Sequence, residues 1–231
     1  MINKKITFCL TSCNRFDLLQ KTLDSFLDLN KYPIEKYIII EDSANINIHK
    51  QITEKYSNIA QLIFNPRNIG QYKSIDNMYK NVNTDYIFHC EDDWLFQNNS
   101  SFIEESLNIL EDKEDIHQVW LISEKVHPVI EPNIYKTTNN TKYKMVKTNH
   151  YRGWCGFSFN PGLRRKTDIL KMFPNGFQEF IQPNLPSGQT EFICNLNAAK
   201  QGYRAAILLN HACVHIGKNG RSTNTNNVMK L

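Results

Sequence analysis

Tyr37-Ile38-Ile39-Ile40-Glu41-Asp42-Ser43 carries the pattern on which the fold class turns. A continuous apolar run that stops abruptly at two acids reads as a strand buried on both faces, which is how strands sit in a parallel sheet. Related runs lie on either side of it. Lys5 to Leu10 is a short apolar run with β-branched residues, and Arg15 to Leu29 follows with Phe16, Leu19, Leu23, Phe26 and Leu27 at helical spacing. After Ser43 come a polar helix near Asn47 to Tyr56, a strand at Ala60 to Phe64 and an Asn-, Pro- and Gly-rich turn at Asn65 to Gly70. A helix over Tyr72 to Asn81, with Ile75, Met78 and Tyr79 inward, then leads into Tyr86-Ile87-Phe88-His89-Cys90. Four strand–helix repeats in the first ninety residues predict right-handed crossovers and a Rossmann-like sheet.

Beyond Cys90 the pattern is less regular. Ser101 to Leu110 reads as a helix with Ser100 or Ser101 as its N-cap, and Val119 to Ile122 as a strand. Pro128 to His150 is polar and lacks apolar periodicity, so it is expected to be a hairpin or a mobile loop interrupting the sheet. Helices are expected at Thr167 to Phe173 and Thr190 to Gln201, and strands at Ala205 to Leu209 and Cys213 to His215. Ser222 to Asn227 reads as a frayed tail.

Composition narrows the function classes. The chain has 231 residues, 41% of them apolar, with thirteen Phe and ten Tyr, enough for one sizeable core. Charged residues at 22% fall short of a disordered composition. A net charge of +4 is too slight and too dispersed for the basic stripe of a nucleic-acid binder. The opening apolar stretch is too short for a signal peptide or a membrane span, so a cytoplasmic or peripheral location is expected. Six scattered cysteines without a CxxC pair suit a reducing compartment, and the glycosylation triplets at Asn98, Asn99 and Asn139 read as accidents of an Asn-rich chain.

In an open α/β sheet, ligands bind outside the carboxyl ends of the strands. Here those ends carry Thr11, Ser12, Asn14 and Arg15, then Glu41 and Asp42, then Glu91-Asp92-Asp93. Thr11 to Arg15 reads either as a helix cap or as a binding loop. Three adjacent carboxylates repel unless a cation or solvent relieves them, and Mg²⁺ or Mn²⁺ does so with one or two carboxylates plus substrate phosphates. The alternative is a solvated acidic loop before a helix. Neither GxGxxG nor a Walker loop occurs.

The order Thr-Ser-Cys-Asn-Arg, Glu-Asp-Ser, Asn68-Ile69-Gly70 and Tyr-Ile-Phe-His-Cys-Glu-Asp-Asp-Trp, over residues 5–96, resembles the GT-A glycosyltransferases of family 2. That resemblance implies an α/β fold with a mostly parallel sheet flanked by helices and a mixed acceptor-side half. As a single domain it would bind the nucleotide sugar with residues 1–96 and the acceptor with 97–217, leaving a flexible tail over 218–231. It implies a nucleotide-diphospho-sugar donor, UDP-sugar first, and a carbohydrate or glycoconjugate acceptor, transfer being of a hexosyl or N-acetylhexosaminyl group. Thr11, Arg15 and Asp42 would hold base and ribose, with Asn68 and Gly70 beside them; Asp93 would bind the metal, Mn²⁺ or Mg²⁺, while Glu91 and Asp92 face ribose, water or sugar. Glu91 departs from the commoner Asp at the start of that motif.

More loosely, Gly153-Trp154-Cys155-Gly156 resembles the acceptor-side segment, placing Trp154 and Gly156 there. Inverting relatives carry a carboxylate base on a later helix, and Glu191 matches it, with Glu179 and Asp168 as fallbacks; the plainer reading of Glu191 is a helix N-terminal carboxylate favoured by the macrodipole. His215-Ile216-Gly217 resembles a late third metal ligand, against a hydrogen-bonded structural histidine. His211 is expected on the same face of the short strand as His215. Lys218 and Arg221 read as a solvated tail or as a lid over the pyrophosphate. Other classes to separate are a sugar-phosphate nucleotidyltransferase, whose Gly-rich basic loop is missing after the first strand, and a catalytically silent carbohydrate-binding relative.

Overall fold

Every residue of β1 (Ile6–Ser12) is buried, as only a central strand covered on both faces allows. The computed structural model describes residues 4–123, 130–148, 156–182 and 187–217. Phe8 and Leu10 pack one way, against α1 (Phe16–Leu29), whose Phe26 ring lies 4.2 Å from that of Phe8. β2 (Lys36–Glu41) lies parallel to β1; α2 (Ile46–Tyr56) then adds Ile52 and Tyr56 to the same layer. β3 (Ala60–Phe64) extends the sheet, and α3 (Gln71–Tyr79) covers the other face, where Cys9, Ile38, Ile40, Met78 and Ile87 meet. β4 (Tyr86–Glu91) pairs with β1 on its free side. The registers Ser12↔Glu41 and Thr11↔Glu91 bring the ends of three parallel strands to one edge.

The second half continues the sheet with mixed polarity. β5 (Trp94–Phe96) and α4 (Phe102–Asp112) precede β6 (Ile116–Trp120), and β7 (Tyr135–Lys136) and β8 (Lys142–Met145) form a hairpin. β9 (Gly162–Arg165), α5 (Lys166–Met172), a 3-10 turn at Phe177–Phe180 and α6 (Ser187–Lys200) follow. The chain then forms β10 (Arg204–Leu208) and β11 (Cys213–His215). The main sheet runs β3-β2-β1-β4-β9-β6-β10-β8-β7, with β11 paired separately to β5. Among the described residues no helix is long and apolar enough to cross a membrane, and Cys9, Cys13, Cys90, Cys194 and Cys213 are unpaired.

Several expectations change. Thr11 to Arg15 is not a side-chain cap: Arg15 occupies the N-cap position of α1 without a capping hydrogen bond. Ser101 occupies the N-cap of α4 but does not cap with its side chain; Asn99 Oδ1 instead accepts its backbone N–H at 2.9 Å. The strand expected at Val119 to Ile122 is β6, which starts earlier because polar His117 and Gln118 are buried as well. Gln118 bonds Ser158, and His117 stacks on Phe157. Burial, then Arg164 and Arg165, lower the His117 pKa to about 3, so it sits there neutral. The hairpin in the expected loop extends the sheet at its edge instead of interrupting it.

β9 was not expected at all, yet it fills the gap between β4 and β6, antiparallel to both. Gly162 permits the contact, since a Cβ there would lie 2.4 Å from the Val119 carbonyl oxygen. Gly162→Ala is therefore expected to cost about 1–3 kcal/mol of stability by forcing β9 off β6, read as a lower urea midpoint with an unchanged m-value.

Candidate active site

The acidic run after β4 finds its cation inside the protein. Asp92 is fully buried, and Arg15 bridges it to Asp93. Nε donates to Asp92 Oδ2 at 3.1 Å, Nη1 donates to Asp93 Oδ2 at 3.1 Å, and Nη2 donates to Asp92 Oδ1. Ser12 Oγ adds a bond to Asp92 Oδ2 at 3.0 Å. Burial pushes the Asp92 carboxyl up to about 7 while Arg15 pulls it back. Glu91 accepts from Gln71 Nε2 at 2.6 Å; burial, then Asp93, Glu191 and Asp92, raise its pKa well above the usual carboxylate range.

Asp93 differs from its neighbours. Its Oδ1 is buried without a hydrogen-bond partner, and His215 Nε2 lies 3.3 Å from Oδ2. The pairing His215↔Trp94 and the bond from Ile216 N to Asp93 O (2.8 Å) hold β11 against this carboxylate. Gly217 keeps the approach open, because a Cβ there would lie 2.4 Å from Asp93 Oδ2. An unsatisfied buried carboxylate oxygen beside an imidazole suits a divalent cation that completes its shell with outside ligands. Among the described residues no three His, Cys, Asp or Glu gather to form a full protein cage.

Asp42 is almost saturated by the chain itself. Oδ1 accepts from Asn65 Nδ2 (2.8 Å) and Ile69 N (2.9 Å), and Oδ2 from Gly70 N (2.8 Å). It anchors the loop that turns into α3, where Gly70 takes φ +88°. Asn68 Nδ2 reaches Cys13 Sγ at 3.4 Å, and Glu41 Oε1 accepts from Asn14 N and Ser43 N, both at 2.9 Å. Thr11 is buried at the same edge.

Glu191 stands in the second turn of α6, not at its first residue, so the macrodipole reading loses its basis. Its Oε1 accepts the Phe159 N–H at 3.0 Å. Burial raises its pKa, and the Phe159 amide, the Ser158 side chain and Arg164 act the other way. Its charge acts on Tyr72 and Glu91, which places it across from the acidic run. The fallbacks fare worse. Asp168 accepts from Arg165 Nε at 2.7 Å, and Arg165 pairs with Tyr86 at the start of β4, so Asp168 lies at the opposite end of the sheet. Glu179 is exposed and bonded to Asn175.

His211 does not share a strand face with His215; it lies before β11 and bonds Asn98 at 3.0 Å. Gly156, at φ +109°, lies against Ala205, where a Cβ would come within 2.7 Å of the Ala205 Cβ. Trp154, Lys218 and Arg221 lie outside the described residues. No motif or spacing singles out Gln71, Arg164 or Asn195, and Asn65 stands out only as part of the Asn-, Pro- and Gly-rich turn before α3.

Comparisons with known proteins bear on the fold and the family. No curated protein matches the chain by sequence. Among solved structures, the mannosyltransferase PcManGT from Pyrobaculum calidifontis, in complex with GDP-Man and Mn²⁺, superposes with TM-score 0.65 at 12% identity. It covers 94% of this chain and 58% of its own. S. aureus TarS 1–349 gives 0.64 at 16% identity, covering 90% of this chain and 59% of its own. Its complex with UDP-GlcNAc gives 0.62 at 16%, covering 94% and 62%. The chain thus spans about six-tenths of the length of these proteins, and at such identities the likeness shows a shared GT-A fold. The family model of Glycosyl transferase family 2 matches residues 7–167, from β1 through the start of α5, so the chain belongs to that family.

Proposed function

We propose that the chain is a metal-dependent glycosyltransferase that moves a hexosyl or N-acetylhexosaminyl group from a nucleotide-diphospho-sugar, UDP-sugar first, to an acceptor hydroxyl with inversion. The observation that carries this is Asp93, whose buried, unpartnered Oδ1 stands beside His215 on the sheet edge shared by Asp42 and Arg15. Asp93 and His215 would hold Mn²⁺ or Mg²⁺, which when bound supplies positive charge for a leaving diphosphate. Residues 1–96 would bind the donor, with Thr11, Arg15 and Asp42 at base and ribose, Asn68 and Gly70 beside them, and Glu91 and Asp92 toward ribose, water or sugar. Residues 97–217 would face a carbohydrate or glycoconjugate acceptor, Trp154 and Gly156 among them, with 218–231 as a tail. Glu191 takes the proton of the acceptor hydroxyl as its oxygen bonds to the sugar carbon and the diphosphate leaves.

The test is a panel of nucleotide sugars, UDP-N-acetylglucosamine and GDP-mannose included, scored by thermal stabilisation with and without Mn²⁺. A ligand that binds the native state raises its melting temperature by mass action. Mn²⁺-dependent stabilisation by one of them is expected; none with any member would favour a catalytically silent relative.

Asp42→Ala is expected to act twice. It removes three acceptor bonds that tether the loop before α3, lowering the melting temperature, and it weakens a contact made in ground and transition states alike. Donor KM should therefore rise more than kcat falls. A collapse of kcat at unchanged KM would move Asp42 into the chemistry instead.

A further inference from the structure

Arg164, in β9, is buried completely, and every hydrogen bond that its guanidinium makes among the described residues goes to a neutral oxygen. Nη2 donates to Ser158 O (2.5 Å) and Asn160 O (3.4 Å), and Nη1 to Tyr79 Oη (3.3 Å), while Nε has no partner. The rings of Phe157 and Phe159 lie 5.5 and 5.6 Å from its central carbon. A buried guanidinium is costly without countercharge close by. The neutral oxygens and the two rings solvate the guanidinium but bring no countercharge.

The segment above Arg164 connects it to a carboxylate. Its carbonyl side faces the sheet, where Ser158 O accepts from Arg164 and also from Gln118 Nε2 at 2.9 Å. The amides of Phe157 and Phe159 face α6, while Ser158 N donates to Gln118 Oε1 at 3.3 Å. Phe157 N donates to Asn195 Oδ1 at 3.0 Å, and Phe159 N donates to Glu191 Oε1 at 3.0 Å. Glu191 and Asn195 are four residues apart, so one helix face grips residues 157–159 through both side chains. The Ser158–Phe159 peptide group, held at its oxygen by Arg164 and at its N–H by Glu191, polarises along the line from guanidinium to carboxylate.

We infer that Arg164 is the positioning residue for Glu191, holding from below the Ser158–Asn160 backbone that orients the carboxylate from above and supplying its countercharge at one remove. This rests on the reading of Glu191 as the base. The charged and titratable groups facing Glu191 are Arg164 from β9, Tyr72 from α3, Glu91 from β4 and Cys194 on its own helix. Of these only Arg164 favours the ionised form.

The test is a carboxyl titration by NMR on the full chain, carrying glutamate labelled with carbon-13 at the side-chain carboxyl. Glu191→Gln identifies the resonance by its disappearance. In Arg164→Gln, neutral but still able to donate to Ser158 O, the Glu191 midpoint should rise by about one pH unit, as the charge acting through the Ser158–Phe159 peptide is lost. Arg164→Lys keeps the charge and loses the fork. Its midpoint should return to within about half a unit of the parent, while kcat for hydrolysis of UDP-N-acetylglucosamine or GDP-mannose, whichever binds, falls roughly tenfold at unchanged KM. An unmoved midpoint in Arg164→Gln, or an equal rise in both variants, would overturn the inference. Should Arg164→Gln not fold, Arg164→Lys decides: a parent midpoint with parent kcat overturns it, and the kcat loss at unchanged KM upholds it. Parent turnover in Glu191→Gln would instead remove the base reading and leave the titration result standing.

Discussion

Asp93→Asn is expected to reduce Mn²⁺ affinity by roughly 100-fold or more, beyond the 10–100-fold typical of losing an outer-shell partner. The substitution keeps the volume and removes the charge from a carboxylate whose buried Oδ1 has no partner and which stands beside His215. An amide nitrogen in either position would be a donor facing a cation, or facing Arg15 and His215. The fold should survive. Asp92 and Asp93 are adjacent acids sharing Arg15, so removing one negative charge relieves their repulsion in the metal-free protein. Titration of Mn²⁺ by electron paramagnetic resonance, with no nucleotide present, reads the loss directly, and a melting temperature at or above the parent's shows that the fold persists. Equal donor affinity of mutant and parent in Mn²⁺ would sink the metal site.

The front half of the fold was legible because strands buried on both faces leave an unbroken apolar run that ends in polar residues. Tyr37 to Ser43 is such a segment, and β2 ends at Glu41 within it. β9 left no such trace. Gly162-Leu163-Arg164-Arg165 contains one large apolar residue, and it becomes a strand through the close approach that Gly162 allows. Arg165 adds to this by donating to the carbonyl oxygens of Leu110, Glu114 and Ile116 at the end of α4 and beyond. These are tertiary causes, invisible to periodicity.

The candidate site divides in the same way. The acidic run after β4 stood out as a local charge conflict, and the late His-Ile-Gly as a resemblance; both meet at Asp93. What no spacing encodes is the pairing of polar groups, side-chain or backbone, remote in sequence. Arg15 with Asp92, Gln71 with Glu91, and Phe157 with Asn195 each join separate elements through one or a few bonds. Part of the positive charge that the acidic run calls for comes from Arg15, within the chain itself.

Glu191→Gln is expected to lower sugar transfer by roughly 10²–10⁴-fold, the usual contribution of a general base. The side-chain shape is preserved, and the amide oxygen of Gln still accepts the Phe159 N–H, so α6 should keep its place. Mn²⁺-dependent donor binding should stay near the parent value, because Glu191 is not among the residues proposed to hold the metal or the nucleotide. The pH profile adds a second reading. Burial raises the Glu191 pKa, and a base works only when deprotonated, so parent turnover should fall as pH drops through that raised pKa. Glu191→Gln should lack that acid limb. Normal turnover in the mutant would release Glu191 from the role and leave Glu179, since Asp168 lies at the far end of the sheet. A product that retains the donor's anomeric configuration would count against the mechanism independently. A single in-line displacement inverts, and no placement of one base converts it to retention.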